Sequence, residues 1–136
     1  MPHYPEPIVG AFILNKKGQL FLFQTHKWNN SYCVPGGHIE WGESIDNALL
    51  REVKEETNLI VKKKKFLCLW EFIAEEEFWK KKHMIFLNFL VETTNEMQEV
   101  KLNHEAEEYI WITPQKALSL PLEKYTKLTI EQYLLK

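Results

Sequence analysis

Long apolar runs are missing from this 136-residue chain. No stretch approaches the roughly 18 uninterrupted apolar residues of a membrane span, so no membrane partner is expected. Cysteine is scarce. Cys33 and Cys68 are too few for a disulfide framework and lack metal-pair spacing. They read as reduced thiols of a cytoplasmic protein. An excess of one charge is missing too: 17 Lys and Arg stand against 19 Asp and Glu, for a net charge of -2. That balance argues against a nucleic-acid polymer as partner, which calls for a strong basic excess. There is no internal repeat and no linker rich in Gly, Pro or Ser. The opening Met1-Pro2-His3-Tyr4-Pro5 carries neither the basic nor the apolar segment of a signal peptide.

What is present suits one globular domain over 1–136. The chain is 45% hydrophobic and 13% aromatic, enough for a core without staples. Ile8 to Leu14, the turn Asn15-Lys16-Lys17-Gly18 and Leu20 to Phe23 predict a hairpin. Tyr32-Cys33-Val34 predicts a short strand stopped by Pro35-Gly36-Gly37. Ser44 is a good N-cap for a helix over 45–57, with Ile45, Ala48, Leu49 and Val53 recurring at spacings of three and four. Asn58 follows as a left-handed terminator. Strands are expected over about 66–74 and 83–92, joined by a solvated loop with opposed blocks Glu75-Glu76-Glu77 and Lys80-Lys81-Lys82. Lys62 to Lys65 read as a solvated edge or loop. Tyr109 to Ile112 predict a late strand, Thr113-Pro114 a short helix, and Thr126 to Leu135 a closing helix. Strands and helices interleave without a regular βαβ period. The fold class expected is α+β, a mixed sheet covered by helices on both faces.

The helix over 45–57 carries the chemistry. Glu52, Glu55 and Glu56 stand at i,i+3 and i,i+4 spacing, so their carboxylates project near one face while Ile45, Leu49 and Val53 anchor the other. Like charges at that spacing repel, and no matching basic triplet is evident. Such hard oxygen ligands suit Mg2+ or Mn2+. A solvated Glu-rich surface would show the same three residues. The longer pattern separates the two readings: Gly37, five residues, Glu43, seven residues, then Arg51-Glu52-Val53-Lys54-Glu55-Glu56. Six such fixed positions coincide by chance on the order of once in 10⁵ chains.

The 23 residues from Gly37 to Leu59 resemble the Nudix box, with Asn58 where that family usually has Gly. Asn is the next best residue for a positive φ, so the departure costs little. The resemblance implies an α/β/α sandwich around a mixed central sheet, and a metal-dependent hydrolase that cleaves a nucleoside diphosphate linked to another moiety. It implies that Glu52, Glu55, Glu56 and the carbonyl of Gly36 hold Mg2+ or Mn2+. Glu52 instead, or also, orients the attacking water in some members. Arg51 and Glu43 would orient the glutamates, and Gly37, Glu43 and Asn58 would shape the box. A base from the second half is expected at Glu105, six residues before Trp111, with Glu107 and Glu108 as rivals. His38, inside the box loop, is a candidate for touching substrate, or a loop histidine without a role.

Substrate choice lies outside the box. The region near residue 75 shows neither the proline of ADP-ribose-cleaving members nor the tyrosine of diadenosine-polyphosphate members. The chain is most similar to the MutT-type branch, which implies a nucleoside triphosphate or oxidised dNTP cleaved to the monophosphate. ADP-ribose or nucleotide-sugar cleavage, and a non-catalytic nucleotide-binding module, stay as alternatives. Trp28, Trp79 or Phe86 could stack a base or simply pack. The partner to expect is a nucleotide-type small molecule, and a homodimer stays open.

Overall fold

The computed structural model describes residues 3–75, 78–95 and 97–135. Met1 and Pro2 of the opening segment, and Glu76 and Glu77 of the acidic block, lie outside the described residues.

Among the described residues, seven strands and three α-helices follow one another as β1 (Glu6–Leu14), β2 (Leu20–Thr25), β3 (Tyr32–Cys33), β4 (Gly36–His38), α1 (Ile45–Thr57), β5 (Val61–Ile73), β6 (His83–Thr93), β7 (Ala106–Ile112), α2 (Pro114–Ala117) and α3 (Lys124–Leu134), with a 3-10 turn at His26–Trp28 after β2. The strands join in one mixed sheet. β1 runs parallel to β6 along its whole length, while β1–β4, β5–β6, β2–β3 and β2–β7 are antiparallel. β1 explains the layering. Its alternate residues Val9, Ala11 and Ile13 cluster with Leu49 and Val53 of α1. Phe12 and Leu14 cluster with Ala117 and Ile130 of α2 and α3. A strand apolar on both faces needs cover on both, and the helices supply it. The expected sandwich is therefore observed.

β1 gives one edge to β6 and divides the other. Ile8 to Gly10 pair with β4, and Leu14 alone pairs with Leu20 of β2. The segment between those pairings, Cys33 to Gly36, lines the pockets described below.

Some elements differ from expectation. Pro35 ends β3, but Gly36 at once starts a further strand against β1. Lys62 to Lys65 belong to β5, which starts at Val61 and lies at the sheet edge. Its ladder with β6 is irregular at Lys63/Lys65 and Phe66/Cys68. Exposed lysines on an edge strand also discourage pairing with other chains. β7 starts three residues early, at Ala106, and α3 begins at Lys124 with Glu123 as its N-cap. The loop after β5 is not merely solvated. Phe78 packs on Trp28 with ring centroids 4.5 Å apart, and the Trp79 amide donates to the Lys27 carbonyl at 3.1 Å.

Candidate active site

α1 is capped at both ends, by the Ser44 side chain and by the left-handed backbone of Asn58. Ser44 Oγ accepts from the Asn47 amide at 3.1 Å. Asn58 ends the helix at φ 69°, and its amide donates to the Lys54 carbonyl at 2.9 Å. With 3.6 residues per turn, Glu56 points only about 20° from Leu49 around the helix, Glu52 about 60° and Glu55 about 120°. The three carboxylates are therefore graded in depth rather than equally presented. Glu56 lies inside the apolar stripe and is 6% exposed. The side chains of Glu52 and Glu55 are 14% and 55% exposed. Ile45, expected in the core, is exposed.

Two glycines shape the floor. A Cβ on Gly36 would meet the Val9 carbonyl at 2.1 Å, so only glycine lets β4 lie this close to β1. A Cβ on Gly37 would stand 2.4 Å from the Glu52 carboxyl, which rests over that residue. The Gly36 amide donates to Glu56 Oε1 at 2.8 Å.

Arg51 supplies the basic partner absent from the triplet reading. Its Nε and Nη2 donate to the two oxygens of Glu43, at 2.6 and 2.9 Å. Nη2 also donates to the His38 carbonyl at 3.0 Å. Nη1 donates to Glu52 at 3.0 Å and to Glu55 at 3.1 Å. The Arg51 hydrogen bonds, helped by the Glu40 amide, hold the Glu43 carboxyl down at about 2. Burial pushes Glu56 well up, and the neighbouring Glu52 charge adds to this. Burial raises Glu52 too, against the pull of Arg51.

Glu105 joins from the segment before β7, whereas Glu107 and Glu108 are exposed. It ion-pairs with Lys27 and lies within hydrogen-bonding reach of Glu56. Burial would raise Glu105, but the Lys27 ammonium outweighs it and the net shift is downward. His38 turns its ring away to Glu6, at 2.5 Å, and contributes its carbonyl to Arg51.

Two pockets meet at Trp28, Cys33, Val34 and Gly36. One, of about 60 Å³, is lined also by Lys27, Glu56 and Glu105. The other, of about 100 Å³, lies on the α3 side between Phe86, Pro35, Asn88 and Glu123. Trp28 and Phe86 thus line pocket walls, while Trp79 is half exposed and sits edge-on to His26. Lys27, Asn88 and Glu123 were missed at the sequence level. Nothing local in the sequence signals them: Lys27 and Glu105 are 78 residues apart.

Among the described residues, no three acidic, histidine or cysteine side chains stand close enough together to hold an ion in this arrangement. Arg51 draws Glu52 and Glu55, and the Gly36 amide draws Glu56. The donor set nevertheless fits a hard divalent cation. Glu56 is a buried carboxylate with one paired amide, and Glu52 is cradled over a residue that has no Cβ. No helix among the described residues is long and apolar enough to cross a membrane.

The sequence matches the family model of the NUDIX domain over residues 5–133. Nudix hydrolase 5 of Arabidopsis thaliana is 38% identical over 82 residues, which cover 57% of this chain and 26% of that protein. An ADP-ribose pyrophosphatase of Methanocaldococcus jannaschii is 29% identical over 98 residues, 71% of this chain and 55% of that one. The nucleoside triphosphatase NudI of Escherichia coli K12 is 26% identical over 106 residues, 73% of each chain. The chain spans about a quarter and about half the length of the first two relatives. Among solved structures, a MutT protein of Methanosarcina mazei Go1 superposes with a TM-score of 0.80 at 26% identity, over 98% of this chain and 95% of that one. With the match running from residue 5 to residue 133, the chain belongs to the Nudix family.

Proposed function

We propose that the chain is a metal-dependent pyrophosphohydrolase of the MutT type. It acts as one domain over 1–136 and converts a nucleoside triphosphate or oxidised dNTP to the monophosphate. One observation carries this reading: the pocket lined by the buried Glu56 carboxylate and Glu105 adjoins, at Trp28 and Gly36, a second pocket that Trp28 and Phe86 also line. A nucleotide has that same division, a polyanion joined to a flat ring.

Glu52, Glu55, Glu56 and the Gly36 carbonyl are the oxygens that would hold Mg2+ or Mn2+. Such a cation, when bound, neutralises the phosphate chain, lowers the pKa of a bound water and stabilises the leaving phosphate. Arg51, tied to Glu43 and to the His38 carbonyl, fixes where Glu52 and Glu55 present their oxygens. Glu105, less exposed than its rivals Glu107 and Glu108, would take a proton from the attacking water. The chain needs no covalent nucleophile for this reaction, which depends on positioning and charge. Trp28 and Phe86 form aromatic walls for the base. The unpaired thiols of Cys33 and Cys68 suit a reducing compartment, the cytoplasm.

A second reading, ADP-ribose cleavage, is favoured by the archaeal relative, which bears that name and is as similar as the triphosphatase. A panel of dNTPs, 8-oxo-dGTP, ADP-ribose, nucleotide sugars and dinucleoside polyphosphates, assayed with Mg2+ and with EDTA, separates them. We expect triphosphates to give monophosphate and pyrophosphate, and EDTA to abolish the reaction. Turnover undiminished by EDTA, or none on any member with Mg2+ or Mn2+, overturns the proposal.

A further inference from the structure

Two cations pair with the cleft carboxylates among the described residues, and they differ in what they have left to give. A guanidinium has five N–H donors. Arg51 commits all of them, to Glu43, Glu52, Glu55 and the His38 carbonyl. A phosphate gains nothing from Arg51 unless one of those bonds breaks. Lys27 has three donors, and its ammonium is paired with one side chain, Glu105. The Lys27 side chain remains one-third exposed.

The backbone of Lys27 is anchored, and its ammonium ends a long side chain paired with Glu105. Its amide donates to Thr25 Oγ1 at 3.2 Å, and its carbonyl accepts from the Trp79 amide at 3.1 Å. The next residue, Trp28, lines both the carboxylate pocket and the pocket walled by Phe86. Lys27 thus stands where a chain of phosphates leaving the Trp28–Phe86 pocket would meet Glu56 and Glu105. A cleft this rich in carboxylate repels a polyanion, and Lys27 is its cation with spare donors.

We infer that Lys27 is a phosphate-binding position: its ammonium exchanges the Glu105 carboxylate for non-bridging oxygens of the substrate's phosphate chain. The inference rests on the hydrolase reading above. A phosphate chain offers several charged acceptors to three donors, where Glu105 offers one carboxylate, and lysine suits this exchange as a mobile point charge.

The test measures two affinities in the wild type, Lys27→Met and Lys27→Arg. Mg2+-pyrophosphate binding is read by calorimetry at fixed ionic strength, and Mn2+ binding alone by electron paramagnetic resonance. Circular dichroism checks that each variant is folded, and Lys27→Arg keeps the charge should Lys27→Met fold poorly. We expect Lys27→Met to weaken pyrophosphate binding about tenfold or more and Lys27→Arg to stay within about threefold of the wild type. Mn2+ affinity should not weaken in either. Glu105→Gln, which removes the competing charge, should bind pyrophosphate at least as tightly as the wild type. Equal pyrophosphate affinity in Lys27→Met overturns the inference. So does a parallel loss of Mn2+ and pyrophosphate, which would make Lys27 a positioning residue for the carboxylates. A wild type that binds neither probe overturns the hydrolase reading itself, an outcome distinct from both.

Discussion

On the α1 wall of the cleft, one guanidinium holds three glutamates and a carbonyl with every donor it has; on the other wall, one ammonium holds one glutamate. The α1 wall comes from 23 consecutive residues. The other joins the end of β2 and the residues after it, strand β6, the segment before β7 and the start of α3. A single helix repeats its spacing wherever it is placed, so it can carry fixed chemistry. A wall built from four distant segments changes whenever one of them does, so it can carry choice of substrate. The comparison predicts that α1 substitutions act on turnover and that substitutions on the other wall, the proposed base Glu105 apart, act on binding.

The largest effect should follow from Glu56→Gln. It removes a carboxylate proposed to hold the metal and should lower kcat on the order of 10²-fold or more, about 2.7 kcal/mol. Stability should move the other way. Burial raises the Glu56 carboxyl well above its ordinary value of 4.5. From there up to the folded-state value the native protein holds a proton that the unfolded chain has lost. Metal-free stability therefore falls as pH rises through that window. Glu56→Gln should flatten the fall, leaving the smaller contribution of Glu52, which is raised in the same direction. Melting temperatures in EDTA across pH 4 to 8, beside kcat with Mg2+, read both effects. A normal kcat in this variant would break the comparison at its α1 end.

Trp28→Ala probes the other wall. Trp28 meets Phe78 at 4.5 Å, Phe72 at 5.5 Å and Phe86 at 6.2 Å between ring centroids. Its loss should cost about 2 kcal/mol of stability, below the range for a fully buried aromatic because Trp28 is only half-buried. If it is a wall of the base pocket, KM for nucleotide should rise about tenfold while kcat holds within about threefold. Steady-state kinetics at a temperature where both proteins are folded decides it. A loss confined to kcat would join the two walls into one functional unit.

The same division explains what was legible in the sequence. The bounds of α1 follow from Ser44, the three-four spacing and Asn58, all local signals. The mixed, doubly covered sheet follows from apolar strands interleaved with helices. Two features were not legible, for physical reasons. Lys62 to Lys65 read as a solvated edge or loop, and of the two the edge is observed; four successive lysines carry no alternation that could have decided between them. The depth of Glu56 was misread because charge was allowed to decide the face. Its angle around the helix, beside Leu49, puts it in the core. Glu105 was placed by resemblance, but its partner Lys27 lies 78 residues away, a distance no local pattern spans.

The smallest effect concerns the end of α1. Asn58 holds φ 69°, where a residue with a Cβ is strained and a β-branched one more so. Glycine would relieve that strain, and alone that would be stabilising. The Asn58 side chain, however, accepts from Lys54 Nζ at 3.0 Å and donates to the Glu99 carbonyl at 3.0 Å. These exposed bonds are lost in Asn58→Gly, so gain and loss should cancel to within about 0.5 kcal/mol. Asn58→Val loses the same bonds and adds strain, and should be less stable by about 1–2 kcal/mol. Glu55 and Glu56 lie in the last turn before Asn58, so the valine variant should also bind Mn2+ more weakly, while the glycine variant should not. Denaturant midpoints and Mn2+ titrations on both variants measure this. If glycine proves as harmful as valine, the side-chain bonds to Lys54 and Glu99 hold the helix end, and asparagine is there for its amide rather than for its tolerance of positive φ.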